Sequence, residues 1–141
     1  MKRRILIKVG THILGRENGR LDYNHISDIV DQIVQIKAEH EVILVSSGAT
    51  RAGKEFCQFE DVKDPLVRKQ MLASIGQGRL FQVYSDFFRE QSIITAQALL
   101  TSGNFRWESS YQNMKTALEG LLGNAVLPII NENDVTSSRE S

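Results

Sequence analysis

The sequence predicts one α/β domain over residues 1–141, built on a mostly parallel sheet with helices packed against it. Three observations carry this expectation. Strand-sized apolar runs alternate with segments of helical period, the runs end in glycine or small polar turns, and a helix separates successive strands, which requires a crossover and not a hairpin.

The elements follow in order. Ile5-Leu6-Ile7-Lys8-Val9 is a β-branched run stopped by Gly10 and reads as a buried first strand, with Lys8 near its carboxyl end. From Ile26, the positions Ile29, Val30, Ile33 and Val34 fall on one face of an amphipathic helix, with Asp22 and Asn24 as candidate caps. Glu41-Val42-Ile43-Leu44-Val45 is a second strand that runs into the turn Ser46-Ser47-Gly48-Ala49 and a short helix. Such a β-α-β unit gathers ligands beyond the carboxyl ends of its strands, where Lys8 and Ser47 stand.

Asp64-Pro65 opens a long helix whose stripe runs through Val67, Met71 and Ile75 to Leu80, Phe81, Tyr84, Phe87 and Phe88. The aromatic residues read as core, or as an interface if exposed. Gly76 and Gly78 interrupt the stripe, and each costs roughly 1 kcal/mol against alanine, so a break or a close approach by another backbone is expected there. Packing in an oligomer is one such approach. Ile93-Ile94-Thr95-Ala96-Gln97 reads as a third strand, Thr101 to Asn113 as a polar loop, and Met114 to Leu122 as a helix ended by Gly123-Asn124. Ala125 to Ile130 is a fourth strand. Pro128 within it has no N–H for a ladder, which predicts an edge position or a place near the strand end.

Composition excludes several classes. The 17 basic and 17 acidic residues cancel, so no polyanionic partner is indicated and nucleic acid is disfavoured. Cys57 is the single cysteine, which fits a reducing, cytoplasmic setting. No apolar run approaches the roughly 20 residues of a membrane span, and Lys8 interrupts the run behind the basic start, so no export signal is expected. His12, His25 and His40 are too scattered for a metal site.

Three constellations carry candidate chemistry. Lys8 with Gly10 and Thr11 places a cation beside sterically open amides, a pairing suited to phosphate oxygens, although a lysine snorkelling out of a sheet end has the same pattern. It is no Walker A loop, since that string does not occur. Ser46-Ser47-Gly48-Ala49 offers hydroxyls and amides at a helix start, fit for a carboxylate or phosphate; an ordinary serine-capped turn is the alternative. Asn131-Glu132-Asn133-Asp134 concentrates amides and carboxylates fit for an ammonium group, or forms a solvated loop.

Read together, Ile7-Lys8-Val9-Gly10-Thr11, Val45-Ser46-Ser47-Gly48-Ala49, Lys69-Gln70 with Gly76-Gln77, Gln97 with Leu99-Leu100-Thr101, and Ile129-Ile130-Asn131-Glu132-Asn133-Asp134 resemble the glutamate 5-kinases, amino-acid kinases of the γ-glutamyl kinase type. The resemblance covers that family's first half. It implies a three-layer sandwich, here truncated, and transfer of the ATP γ-phosphoryl group, with Mg2+ bound alongside the nucleotide, to the side-chain carboxylate of L-glutamate. The product is glutamyl 5-phosphate, the first step toward proline. By the same resemblance Lys8 is catalytic and, with Gly10 and Thr11, contacts the ATP phosphates. Ser47 and Gly48 would hold glutamate, and Asn131 and Asp134 its α-amino end. The family also suggests a homo-oligomer and leaves proline as a candidate inhibitor.

The sequence departs from the family pattern at His12, where serine is more common, and at Thr50-Arg51, which replace small residues. The family continues with a Gly-Asp-Asn-Asp segment and a nucleotide-binding half that supplies a second lysine. Neither is found here, so a catalytically incomplete chain is expected. The alternatives are a non-catalytic amino-acid-binding or oligomerisation module, and a related kinase acting on another carboxylate, carbamate or phosphate.

Overall fold

The computed structural model describes residues 1–100 and 103–131. Its elements run β1 (Arg4–Val9), α1 (Thr11–Leu14), α2 (Tyr23–Lys37), β2 (Glu41–Ser46), α3 (Ala49–Gly53), α4 (Pro65–Glu90), β3 (Thr95–Leu99), α5 (Gly103–Arg106), α6 (Glu108–Gly123) and β4 (Leu127–Asn131). The four strands form one sheet in the order β1-β2-β4-β3, every neighbouring pair parallel. No helix among the described residues is long and apolar enough to cross a membrane.

Strand register sorts the side chains onto two faces, because residues paired across a ladder share a face and alternate residues oppose it. Val9, Ser46 and Asn131 are linked by pairing, as are Ile7, Leu44 and Ile129, so these six lie on one face. That face meets α2 and α4. Leu44, Leu127 and Ile129 pack there with Ile26, Val30 and Ile33 of α2 and with Leu80, Val83, Tyr84 and Phe88 of α4. Each large apolar side chain removed from water this way contributes roughly 1.5–3 kcal/mol. Local signals start both helices: the Asp22 carboxylate accepts the His25 N–H, and the Asp64 carboxylate accepts those of Leu66 and Val67 ahead of Pro65.

The opposite face carries Arg4, Leu6 and Lys8 of β1. Here α6 forms the third layer, with Glu119 3.8 Å from Arg4. Ile43 and Pro128 are buried on this face, whereas Leu6 is 62% exposed. Among the described residues the first strand is therefore a half-covered edge strand and not a buried one.

Two further expectations are revised, and a third holds. The polar stretch after β3 is helical from Gly103 to Arg106 and again from Glu108. Its polarity misleads because α6 buries only Leu122 and half-buries a narrow stripe of Met114, Leu118 and Leu121, while Gln112 donates to the Glu108 carboxylate one turn back. The third strand is Thr95–Leu99, two residues later than expected. Pro128 takes the second of its two expected places, near a strand end: it is the second residue of the interior strand β4, and β2 pairs with β4 only from Ile129 onward, so the missing N–H falls before that ladder begins.

The long helix α4 is unbroken through both glycines. At Gly76 the expected close approach is real and lies within the chain: an added Cβ would run into the Ala49 carbonyl oxygen and come within 2.5 Å of the Gly53 nitrogen. Gly78 has open space around it.

Candidate functional site

Three adjacent strands, β1, β2 and β4, end at one edge of the sheet and bring Lys8, the Ser47-Gly48 turn and Asn131 to it. Past the paired residues of the first two, the Ser47 N–H donates to the Val9 carbonyl at 2.9 Å. It extends the β1–β2 ladder one residue past the strand and pins the start of the turn.

Lys8 is exposed and leaves the sheet on the α6 side. Beyond it, Gly10 has ordinary extended backbone, and a Cβ there would meet nothing within 4 Å. The space above the Gly10-Thr11 backbone is thus open, as a phosphate-accepting surface requires. Thr11 is half-buried at the first position of α1, and His12 is exposed.

Gly48 adopts φ +110°, a region that side chains disfavour, and an added Cβ would also sit 3.0 Å from Leu14. The helix that follows, α3, has only five residues, so its dipole is a fraction of the one a full helix start would supply. What the turn offers an anion is its own amides and hydroxyls. Its position is set from behind: Gly53 abuts the Leu72 backbone and Gly76 abuts Ala49, so α3 lies backbone to backbone on α4.

Beneath the turn, the Ser46 hydroxyl donates to the Ser47 carbonyl at 2.9 Å and lies 2.9 Å from the Tyr84 hydroxyl. Burial pushes the Tyr84 phenol up to about 12, with the Ser46 hydrogen bond working in the opposite direction. Asn131 shares this face with Ser46 and is 6% exposed. It lines a narrow cavity with Ser46, Leu80, Phe81, Tyr84 and Gln97, and its Oδ1 has no hydrogen-bond partner among the described residues. Lys8 and Asn131 therefore leave the sheet on opposite faces, with the Ser47-Gly48 turn between them. Asp134 lies outside the described residues.

A second polar cluster fastens the loop between α1 and α2. The Glu55 carboxylate accepts the Leu21 N–H at 2.9 Å and the Tyr23 O–H at 2.7 Å, while Arg79 donates to the Tyr23 oxygen at 3.1 Å. Burial and the Glu55 partner raise the Tyr23 phenol above its usual 10.0, and Arg79 pulls it down. The departure at Arg51 is accommodated in the same loop. Its guanidinium donates to the Arg16 carbonyl at 3.0 Å and fills the space where a Gly15 side chain would be.

Sequence reasoning placed Tyr84 in the core and missed its hydroxyl, and it treated Ser46 as one residue of a turn. The available signal was a tyrosine on an otherwise apolar stripe, since a buried tyrosine hydroxyl needs a partner.

The family model described as the amino acid kinase family matches residues 3–141. The glutamate 5-kinase of Chlorobaculum tepidum is 40% identical over 139 residues, covering 98% of this chain and 38% of that protein. That of Caldanaerobacter subterraneus subsp. tengcongensis is 44% identical over 138 residues, covering 97% and 37%. The chain thus spans about 38% of the length of the curated relatives it matches. Among solved structures, the crystal structure of UMP kinase from Ureaplasma parvum superposes with a TM-score of 0.59 at 20% identity, over 92% of this chain and 55% of that one. Identity that low speaks for the fold alone. With a family match over nearly its whole length, and a parallel sheet whose strand ends carry the lysine and the serine-glycine turn, the chain belongs to the amino acid kinase family.

Proposed function

We propose that this chain forms the acceptor side and the phosphate edge of an ATP-dependent kinase that phosphorylates the side-chain carboxylate of L-glutamate, giving glutamyl 5-phosphate on the way to proline. The observation that carries the reading is the Ser47 N–H bond to the Val9 carbonyl, which holds the lysine-bearing strand end beside the serine-glycine turn. The names of the relatives supply the substrate.

The residue types suit the task. A carboxylate is already nucleophilic near neutral pH, so alignment and charge neutralisation suffice and no strong base is needed. In this reading the Ser47 hydroxyl and Gly48 amide orient the acceptor, Lys8 offsets charge on the phosphate oxygens, and the open Gly10-Thr11 backbone lets them approach. MgATP supplies the phosphoryl group, with the metal held chiefly through the nucleotide's phosphates. Asn131 and Asp134 belong to the amino end of the acceptor, and a cytoplasmic homo-oligomer completes the proposal.

The test is direct. The purified chain is titrated with L-glutamate by calorimetry, then incubated with MgATP, L-glutamate and hydroxylamine, which traps an acyl phosphate as the hydroxamate. Saturable glutamate binding together with hydroxamate supports the kinase. Since the chain spans 38% of its relatives, a second outcome has its own motive: binding without turnover identifies a non-catalytic amino-acid-binding module. Absence of glutamate binding overturns the substrate assignment.

A further inference from the structure

We propose that Ser46 and Tyr84 are positioning residues that hold the peptide between Ser47 and Gly48 with its N–H turned toward the Lys8 side of the sheet, where it meets the acceptor carboxylate. The role assigned to that N–H rests on the function proposed above; the orientation does not.

The direction of the hydrogen bonds is fixed by proton counting. The Ser46 hydroxyl has one proton, and its contact with the Ser47 carbonyl uses it, because a carbonyl oxygen only accepts. The Tyr84 hydroxyl, 2.9 Å from the same oxygen, must therefore be the donor. The result is a relay: Tyr84 donates to Ser46, and Ser46 donates to the Ser47 carbonyl. Both side chains are 0% exposed, which shields the Tyr84–Ser46 contact from water and partly shields the bond to the half-buried Ser47. A phenol pushed up to about 12 keeps its proton, and hence its donor role, throughout the neutral range.

Orientation follows from planarity. In a trans peptide the N–H points opposite the carbonyl of the preceding residue. The Ser47 carbonyl is drawn to the side on which Ser46 meets α4, so the Gly48 N–H is turned away from α4, and Lys8 leaves the sheet on that side. The preceding peptide is held separately by the Ser47 N–H bond to Val9. Glycine at position 48 tolerates more than one orientation of this unit, so the sterics of Gly48 do not by themselves select between them. The relay does. Reversed, the turn would present a carbonyl oxygen to an anion and repel it.

The experiment uses the whole 141-residue chain, labelled with 13C and 15N. In the free protein, the Ser47 carbonyl carbon and the Gly48 amide report the relay; L-glutamate titrated into the same sample reports binding. Ser46→Ala is expected to move the Ser47 carbonyl resonance upfield, shift the Gly48 amide and weaken glutamate binding about five- to tenfold, the scale of one buried hydrogen bond. Ser46→Thr keeps a hydroxyl and is expected to restore all three, which a purely volumetric role for Ser46 would not require. Tyr84→Phe is expected to shift the same two resonances in the same direction by less. Unchanged resonances in Ser46→Ala overturn the relay, and changed resonances with unchanged glutamate affinity overturn its role at the site. If the unmutated chain ignores glutamate, the acceptor reading falls while the free-protein resonances still decide the relay. Should Ser46→Ala fail to fold, unchanged resonances in Tyr84→Phe overturn the proposal.

Discussion

Gly76 of α4 and Ala49 of α3 meet backbone to backbone: the Ala49 carbonyl oxygen occupies the space a side chain on Gly76 would need. Ala49 directly follows Gly48, so this contact sets the height of the serine-glycine turn above the sheet. The glycine that helix propensity disfavours is the one that lets α4 support the site.

Gly76→Ala is therefore expected to destabilise the fold by about 2–3 kcal/mol, because overpacking outweighs the gain in helix propensity. Gly78→Ala, made at an exposed position with open space around it, is expected to stabilise by about 0.5–1 kcal/mol. Urea denaturation of the two variants reads both signs. A Gly76→Ala protein as stable as the parent would show that α3 does not lie on α4 in this way.

The buried Tyr84 phenol gives stability an alkaline limit. An unfolded tyrosine ionises near 10.0, whereas Tyr84 in the fold holds its proton to about 12. Between these values the folded state binds more protons than the unfolded one, so stability falls as pH rises through the window and is unaffected by Tyr84 below it. The loss approaches 2–3 kcal/mol, an order-of-magnitude figure, at the top of the window. Denaturant midpoints for the parent and Tyr84→Phe, compared from about pH 9 to about pH 11.5, are expected to converge as the parent loses this share.

Glu55 ties the loop after α1 to the end of α3 through two accepted hydrogen bonds. Glu55→Ala is expected to cost about 2 kcal/mol and Glu55→Gln about half that, since the amide keeps one acceptor. Faster amide exchange at Leu21 is the local signature. Unchanged exchange in Glu55→Ala would place the loop's anchor elsewhere.

Lys8→Met preserves the length of the side chain and removes its charge. Binding of inorganic tripolyphosphate to the chain is expected to weaken about tenfold, with a shallower dependence on salt. Equal affinity in the variant would remove Lys8 from the phosphate edge.

Legibility in the sequence followed how local each cause was. The apolar strand β2, the capped starts at Asp22 and Asp64, and the small-residue turn after β2 are set by neighbouring residues and were readable. The helical character of Glu108 to Asn113 was not, because a helix lying on a sheet with one narrow stripe buried looks like a polar loop over a short window. Nor was the order of the strands: nothing near Ala125 to Ile130 says that the last strand inserts between β2 and β3. At the site, the lysine and the turn were visible as residue types, while the Tyr84 relay joins positions 38 apart and appears only once α4 is laid on the sheet.

That strand order also shapes how the chain acquires its structure. Among the described residues β3 pairs with no strand except β4, which follows it in the chain. During synthesis β1 and β2 can pair early across α2, but β3 has no partner among the described strands until residues 127–131 leave the ribosome. The interval is bridged by α6, whose marginal burial suits a connector that closes late. Nascent chains stalled before Leu127 thus leave β3 without its β4 partner, and the insertion of one five-residue strand both joins β3 to β2 and delivers Asn131 beneath the turn.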